Sequence, residues 1–368
     1  MSRKLSVAVV GLGIGQKHLE AYATLPDRFT VAAVCDLDAG KANAVAAAHP
    51  GSKPTTDYAA LLRTGGLDVI DICTPPDTHR ALVEAALAAG FHVICEKPLT
   101  GSLADCDALQ SAAAKAQGTL SPIFQYRFGN GLQKLKLLQT TGICGTPYLS
   151  TIETSWRRDA DYYDVAWRGK WATELGGCCL TQAIHAHDIL SYVNGPVKNL
   201  AARLATRVNP VEVEDCAAVS IEMANGSLAT LAVTLGAAEE LSRIRFMFQN
   251  LTVESRSMHP YRVGDDPWHV KGKSPAIDAA IAATLAGFEP ADESFAGQFA
   301  RIHDSITGGA PLPVTIADAR ASLELITAIY HSAESGTTVT LPLRADHPKY
   351  GSWIPAARRW GRDEQHHG

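Results

Sequence analysis

The sequence predicts an α/β chain in two parts. Residues 1–124 read as a doubly wound parallel sheet, and residues 125–368 as an α+β domain with a large, mostly antiparallel open sheet. Three observations carry this. Short apolar runs alternate with helical stretches up to Phe124, as a parallel sheet with crossover helices requires. Leu5-Ser6-Val7-Ala8-Val9-Val10 runs straight into Gly11-Leu12-Gly13-Ile14-Gly15. From Pro147 onward helices give way to strand-like runs joined by short turns.

At 368 residues the chain is long enough for two domains and a sizeable core. Hydrophobic residues make up 46% and charged residues 19%, with a net charge of −5 and both signs interspersed. This balance points to neither nucleic acid nor an anionic membrane as partner. The first apolar run is short and broken by glycines, so it reads as neither a secretory leader nor a membrane span. The eight cysteines form no C-x-x-C pair. They read as reduced thiols of a cytoplasmic protein, and adjacent Cys178 and Cys179 as core fillers rather than a redox switch.

Strand, glycine turn and helix in immediate succession are the setting of a dinucleotide-binding fingerprint. The glycines allow the turn and let a pyrophosphate approach the backbone, while the following helix, Gln16–Leu25, faces it with free N–H groups. Gly11, Gly13, Ile14 and Gly15 are therefore candidate cofactor contacts. The third glycine falls one residue early against G-x-G-x-x-G, with Gln16 in its usual place. The second strand, Thr30–Cys35, ends in Asp36, where an acid that binds ribose hydroxyls is expected. Asp36 or Asp38 could instead cap the next helix. Neither Leu37 nor Asp38 offers a cation for a 2′-phosphate, which favours NAD over NADP.

A strand over Asp68–Cys73 leads into Thr74-Pro75-Pro76-Asp77-Thr78-His79 and a helix to Ala89. The next strand, Phe91–Cys95, stops abruptly at Glu96-Lys97-Pro98-Leu99. A buried strand that delivers a lysine at its carboxyl end puts that lysine where open α/β sheets bind ligands. We read Lys97 as the chemical centre. Thr74, Pro75, His79, Glu96 and Gln125 complete the set of candidate cofactor contacts. A helix over Leu103–Ala116 and a strand over Thr119–Gln125 close the pattern.

G-L-G-I-G-x-x-H, a strand ending in Asp, T-P-P-x-x-H and G-x-H-V-x-x-E-K-P-L, in that order, resemble the glucose–fructose oxidoreductase/inositol dehydrogenase/MocA family. The resemblance implies NAD(P)-dependent hydride transfer with a sugar, polyol or related hydroxy compound. It also implies that Lys97 lies beside the nicotinamide and the substrate hydroxyl, and a cis Lys97–Pro98 peptide is compatible with this. A second domain with the substrate on one face of its sheet is implied too, its other face serving a homodimer or homotetramer.

In the second part, Tyr126 and Arg127, both candidate substrate contacts, open a linking stretch ahead of a helix over Leu132–Gln139. Strands are expected at 148–156, 200–208, 216–223, 227–235 and 244–248. Asn225-Gly226 is a hairpin signal. The segment from Trp156 to Trp171 interleaves Trp, Tyr, Arg and Asp, as a loop over a polar ligand would. Trp156, Arg157, Trp167 and Arg168 are its candidate substrate contacts. The segment Gly176–Asp188 resembles the family's helix whose histidine faces the nicotinamide opposite the lysine, and His185 falls at that position. On one continuous helix Thr181, His185 and Asp188 would share a stripe, with His187 almost opposite, so no metal is expected from the H-x-H pair. Thr181 stands where many family members carry aspartate, and Asp159, Asp161 or Asp164 could supply that carboxylate. By resemblance the catalytic residues are Lys97 and His185, with Thr181 and His185 also touching substrate. The same fold also hosts two other activities: an NAD-dependent glycosidase working by transient oxidation, which nothing in the sequence excludes, and a non-catalytic NAD(P)-sensing regulator, against which intact Glu96-Lys97-Pro98 and His185 argue. A late helix is expected over Ile316–Ser335, and the tail from Arg358 to His367 reads as a polar terminus.

Overall fold

The computed structural model describes residues 3–257 and 259–355. The tail from Arg358 to His367 lies outside them. The chain forms two compact units. The first comprises the chain up to Phe124 together with Phe295–Arg320; the second comprises Gln125–Ser294 and the chain from Ala321.

The first unit runs β1 (Leu5–Val10), α1 (Gly15–Ala23), β2 (Phe29–Cys35), α2 (Ala39–Ala48), β3 (Lys53–Thr55), α3 (Tyr58–Leu61), β4 (Val69–Ile72), α4 (His79–Ala88), β5 (His92–Cys95), α5 (Leu103–Ala113) and β6 (Leu120–Pro122). The strand order is β3-β2-β1-β4-β5-β6, all parallel. This is the doubly wound order of dinucleotide-binding folds. β4 and β5 are buried almost throughout because helices cover both faces. Short polar side chains start the helices: Asp38 accepts from the Lys41 amide at 3.1 Å, and Ser102 from the Asp105 amide at 3.0 Å. The apolar pattern does not signal β3. It is three residues long and contains Pro54, which an edge strand tolerates.

The second unit contains α6 (Asn130–Thr140), β7 (Pro147–Arg157), α7 (Ala160–Tyr163), α8 (Cys178–Thr181), α9 (Ile184–Asn194), β8 (Val197–Ala205), β9 (Cys216–Met223), β10 (Leu228–Thr234), β11 (Gly236–Phe248), β12 (Leu251–Ser255), β13 (Trp268–Gly272) and α10 (Pro275–Leu285). After α11 (Ser294–Gly308), helix α12 (Ile316–Ser335) and β14 (Val339–Thr340) follow. The eight strands are ordered β13-β12-β11-β7-β10-β9-β8-β14. Pairing is antiparallel except between β7 and β10. The hairpin at Asn225-Gly226 forms, with Gly226 at φ +84°. Strand alternation gives the sheet one buried row, Ile244, Ile152, Leu231, Val219 and Ala202, in register across five strands. The neighbouring row, Arg245, Thr151, Thr230 and Ser220, is exposed. Among the described residues no helix is long and apolar enough to cross a membrane.

The contiguous division at residue 124 misses one segment. α11 returns to the first unit because its buried face completes that unit's core. Phe299 stacks on Tyr22 at 4.4 Å between ring centroids and meets Phe29 edge-on at 6.5 Å. Gln298 bonds the last strand from both ends: its Nε2 donates to the Pro122 carbonyl at 2.7 Å, and its Oε1 accepts from the Phe124 amide at 3.1 Å. Arg28 donates to the Ala300 carbonyl at 2.9 Å and pairs with Asp304. Replacing Phe299 with Ala is expected to cost about 3–5 kcal/mol, the usual loss for a buried aromatic. Hydrogen exchange should locate the lost protection in residues 5–124; loss confined to the second unit would contradict this packing.

Candidate active site

The carboxyl ends of the central strands lie side by side, tied by backbone bonds that continue the ladder. Cys73 donates to the Val10 carbonyl at 2.7 Å, Gly11 to Cys35 at 2.8 Å and Glu96 to Ile72 at 2.9 Å. β1 and β4 flank the point where strand order reverses, the general position of ligands in such sheets.

The glycine loop is shaped for a close approach. Gly11 has φ +88°, and a Cβ there would sit 2.7 Å from the Cys73 carbonyl carbon and oxygen. At Gly13 a Cβ would meet nothing within 4 Å, so that glycine borders open space. Gly15 packs α1 onto β1, a Cβ there lying 3.0 Å from Val9. The one-residue departure in spacing thus still leaves a glycine for each of the turn, the open edge and the helix contact. No side chain caps the start of α1. Ile14 just before it is exposed, and an uncapped helix start of this kind is suited to a phosphate.

Asp36 turns back onto this loop. Its carboxylate accepts from the Leu12 amide at 2.8 Å and the Asp38 amide at 3.1 Å, and lies 3.2 Å from the Lys41 ammonium. Burial raises its pKa, but these bonds and Lys41 outweigh it, so the group stays below the usual carboxylate range. Asp38, not Asp36, caps α2. Lys41 is a cation beside Asp36 that the two residues after Asp36 do not reveal; it comes within reach only through the first turn of α2. Leu37 is 94% exposed.

At the ends of β4 and β5 the turns are cross-braced. The Thr74 and Thr78 hydroxyls share a hydrogen bond at 2.7 Å, and Thr78 also bonds the Pro75 carbonyl at 2.7 Å. His79 does not face outward as expected of a cofactor contact. It is fully buried, with its ring nitrogens 2.8 Å from the Pro98 carbonyl and 2.9 Å from the Thr74 carbonyl, and so it joins the two turns. Burial holds its pKa below the ordinary value despite both carbonyls. Lys97 is half-buried, and the Lys97–Pro98 peptide is cis. Glu96 is buried; its Oε2 accepts from the Lys97 amide at 3.1 Å.

In the second unit the chain from Gln125 to Phe128 is a buried 3-10 turn, not the end of a strand. Gln125 Oε1 has no hydrogen-bond partner among the described residues. Tyr126 stacks on His185 at 4.6 Å, bringing together two residues chosen on separate grounds. Arg127 is not presented to a ligand. It is buried and grips Asp188 with two bonds, 2.7 and 2.6 Å, because a guanidinium fork and a carboxylate satisfy each other. Its place is structural, tying the turn to α9.

The single helical stripe of Thr181, His185 and Asp188 is also corrected. Thr181 ends α8, and α9 starts at Ile184. Ala183 donates to the Cys178 carbonyl at 2.8 Å, five residues back, which widens the turn and breaks the register. The Thr181 hydroxyl donates to the Gly177 carbonyl at 3.0 Å and bonds Gln182, whose amide donates to the Tyr162 hydroxyl at 2.9 Å. His187 is buried with neither ring nitrogen partnered among the described residues, and burial pushes its pKa down to about 3. Leu175, at φ +68°, precedes this segment, and the Trp353 indole holds its carbonyl at 2.7 Å. A bulky residue in that conformation is a local strain that sequence periodicity does not reveal.

The aromatic segment is a packed layer more than an open loop. Trp156 is buried and donates to the Ser242 hydroxyl at 2.9 Å. Arg157 is exposed and pairs with Asp159 at 2.7 Å. Arg158, which the sequence pattern does not single out, pairs with Glu240 at 2.7 Å and lies over both Trp156 and Tyr162. Arg168 lies 3.8 Å over the Tyr162 ring and 5.2 Å over Trp167, both partly buried.

A parallel dinucleotide-type sheet with an open glycine loop, an acid at the end of β2 and a lysine at the end of β5 defines a nucleotide-dependent oxidoreductase fold. Comparison with known proteins agrees. Residues 5–124 match the GFO/IDH/MocA oxidoreductase family's NAD-binding Rossmann fold, and residues 132–254 match its C-terminal domain. The chain belongs to this family. It is similar to D-apiose dehydrogenase of Rhizobium rhizogenes, 28% identical over 324 residues, covering 84% of this chain and 90% of that one. It is also similar to D-glucoside 3-dehydrogenase of Escherichia coli, 26% identical over 92% of this chain and 98% of that one. Among solved structures, the WlbA dehydrogenase from Bordetella pertussis in complex with NADH and UDP-GlcNAcA matches with a TM-score of 0.82 and 28% identity. The match covers 93% of this chain and all of that one.

Gly13→Ala is expected to weaken NADH binding at least about tenfold with little change in melting temperature, since a methyl there fills only the space a pyrophosphate needs. Gly11→Ala should lose binding and also about 1–3 kcal/mol of stability through backbone strain. Fluorescence titration of NADH beside thermal melts of both variants checks the contrast. Equal melting losses in the two would contradict it.

Proposed function

We propose that this chain is an NAD-dependent dehydrogenase that moves a hydride between a CH–OH group of a sugar, polyol or sugar derivative and the nicotinamide. The observation that carries this reading is the placement of Lys97 at the end of β5, in the same row of strand ends as the glycine loop and Asp36. The D-apiose and D-glucoside dehydrogenases act on carbohydrates, and WlbA was solved with a sugar nucleotide, which supports the substrate class.

The residues present fit the cofactor. Gly11, Gly13, Ile14 and Gly15 would cradle the pyrophosphate, Asp36 the adenosine ribose, and exposed Leu37 would cover the adenine. Thr74, Pro75, Glu96 and Gln125 would complete the binding surface. When bound, NAD supplies the hydride acceptor. Asp36 favours a free ribose hydroxyl over a 2′-phosphate by charge, so NAD is preferred to NADP despite Lys41.

Oxidation of an alcohol needs its proton removed as the carbonyl forms. His185, which the family resemblance places at the reacting hydroxyl, takes that proton in its neutral form. Lys97 steadies the developing alkoxide with its charge. Trp156, Arg157, Trp167, Arg168, Tyr126 and Thr181 would shape the substrate end, Arg157 and Arg168 with polar contacts and the aromatics with packing. Eight free thiols among the described residues support a reducing, cytoplasmic setting. The exposed sheet row, with Leu228, two positions before Thr230 on the same face and 54% exposed, supports assembly into a homodimer or homotetramer through that face. Light scattering should then show a higher mass for the wild type than for Thr230→Arg; equal masses would remove the sheet face as the interface.

Continuous NADH formation on a panel of sugars and polyols tests the activity. Oxidation without net NADH would point to the glycosidase cycle, and cofactor binding without turnover on any substrate to a regulator. Lys97→Met is expected to lower kcat by about 100- to 10,000-fold with NAD affinity nearly unchanged. His185→Ala should remove the acidic limb of the kcat/KM pH profile, where protonation disables the base. Wild-type turnover in Lys97→Met, or an unchanged limb in His185→Ala, would withdraw the respective assignment.

A further inference from the structure

The motif G-L-G-I-G-x-x-H ends in His18, a residue with no part in the hydride transfer proposed for Lys97 and His185. It sits one turn into α1 and is fully buried. Its Nδ1 lies 2.8 Å from Asp71 Oδ2 on β4, and its Nε2 lies 3.1 Å from Glu96 Oε1 after β5. The Tyr22 hydroxyl donates to the same Asp71 oxygen at 2.9 Å. The Cys73 thiol lies 3.3 Å from Nδ1 and 3.5 Å from Asp71 Oδ1. From α11, Phe295 and Phe299 close over the ring at 4.5 and 5.2 Å. Asp71, Cys73, Glu96 and Tyr22 are thus the titratable groups around the ring, and the α11 side is apolar.

We propose that His18 is a positioning residue for Lys97: braced by Asp71, it holds the Glu96 carboxylate, whose other oxygen fixes the Lys97 amide. This rests on Lys97 being the reactive lysine. With both carboxylates as acceptors, both ring nitrogens donate, which is the pattern of the imidazolium. Burial disfavours the charged ring, but the Asp71 carboxylate outweighs it, and the pKa stands well above the ordinary 6.5. A buried cation between two acids makes a rigid strut, because any tilt leaves a charge without its partner. The first turn of the same helix would hold the cofactor phosphates, and its second turn meets the lysine's strand end through His18 and Glu96. Cofactor seating and lysine placement therefore share one rigid element.

The test uses the full chain with NAD bound, labelled at histidine nitrogens. Both ring nitrogens of His18 should carry protons at pH 7 and above; a single protonated nitrogen at pH 7 would overturn the proposal. His18→Gln should lower kcat by about 10- to 100-fold through misplacement of the lysine, with KM for NAD changed far less. In a Lys97→Met background the same substitution should cost nothing further. Wild-type kcat in His18→Gln, or a full additional loss without Lys97, would overturn it. Should Lys97→Met retain wild-type turnover, the lysine assignment fails instead, and the nitrogen spectrum still decides the charge of His18. Glu96→Gln serves if His18→Gln does not fold, with the same direction expected. Melting temperature gives an independent sign. A raised histidine pKa contributes stability that is complete below about pH 6.5 and is lost as pH rises through the folded value. The wild type should lose stability on the alkaline side more steeply than His18→Gln; identical slopes would contradict a charged ring.

Discussion

The backbone bonds that join the ends of β1, β4 and β5 are the constraint on which the first unit's chemistry depends. Cys73 to Val10 and Glu96 to Ile72 keep three strand termini level, so that the turns leaving those strands emerge in one row. They are the glycine turn, the threonine-proline turn and the Glu96-Lys97-Pro98 turn. Gly11 has no room for a side chain because the second of these turns presses against it. His79 then ties the second turn to the third through two carbonyls. The row is held by main-chain groups and buried polar bonds, which rotate far less than surface side chains.

Much of this was legible in the sequence because parallel sheets write themselves plainly. β1, β4 and β5 are short, mostly apolar runs interrupted by Ser6, Asp71 and His92, and each leads into a turn of distinctive residues: glycine, threonine-proline and glutamate-lysine. The hairpin at Asn225-Gly226 was equally readable, since few dipeptides accept its turn. Residues such as Lys97 and Asp36 could be named because their spacing from those strands is fixed by the fold.

Other features depend on partners far away in the chain. Arg127 looks like any exposed arginine until Asp188, on another element, occupies its guanidinium. The break between α8 and α9 has no proline to mark it; it arises from one five-residue hydrogen bond and from packing around Gly176 and Gly177. His79 and His18 both look like surface or motif residues, and only their tertiary partners show that they are struts. β12, β13 and α10 fall where polar and apolar positions mix without a clean period, whereas α11 carries an apolar stripe of Phe295, Phe299, Ile302 and Ile306 that does not itself say which unit it covers.

The return of α11 to the first unit has a consequence for how the protein is made. Phe299 completes a core whose other members, Tyr22 and Phe29, are synthesised roughly 270 residues earlier. A ribosome delivers the dinucleotide sheet first, yet that sheet lacks one wall until nearly the whole chain has emerged. Domains usually fold as units during synthesis. Here the amino-terminal unit waits for a helix made late, with Leu19, Tyr22 and Phe29 exposed in the interval. A nascent chain halted before residue 295 would present that apolar face to chaperones, and release past residue 308 would bury it.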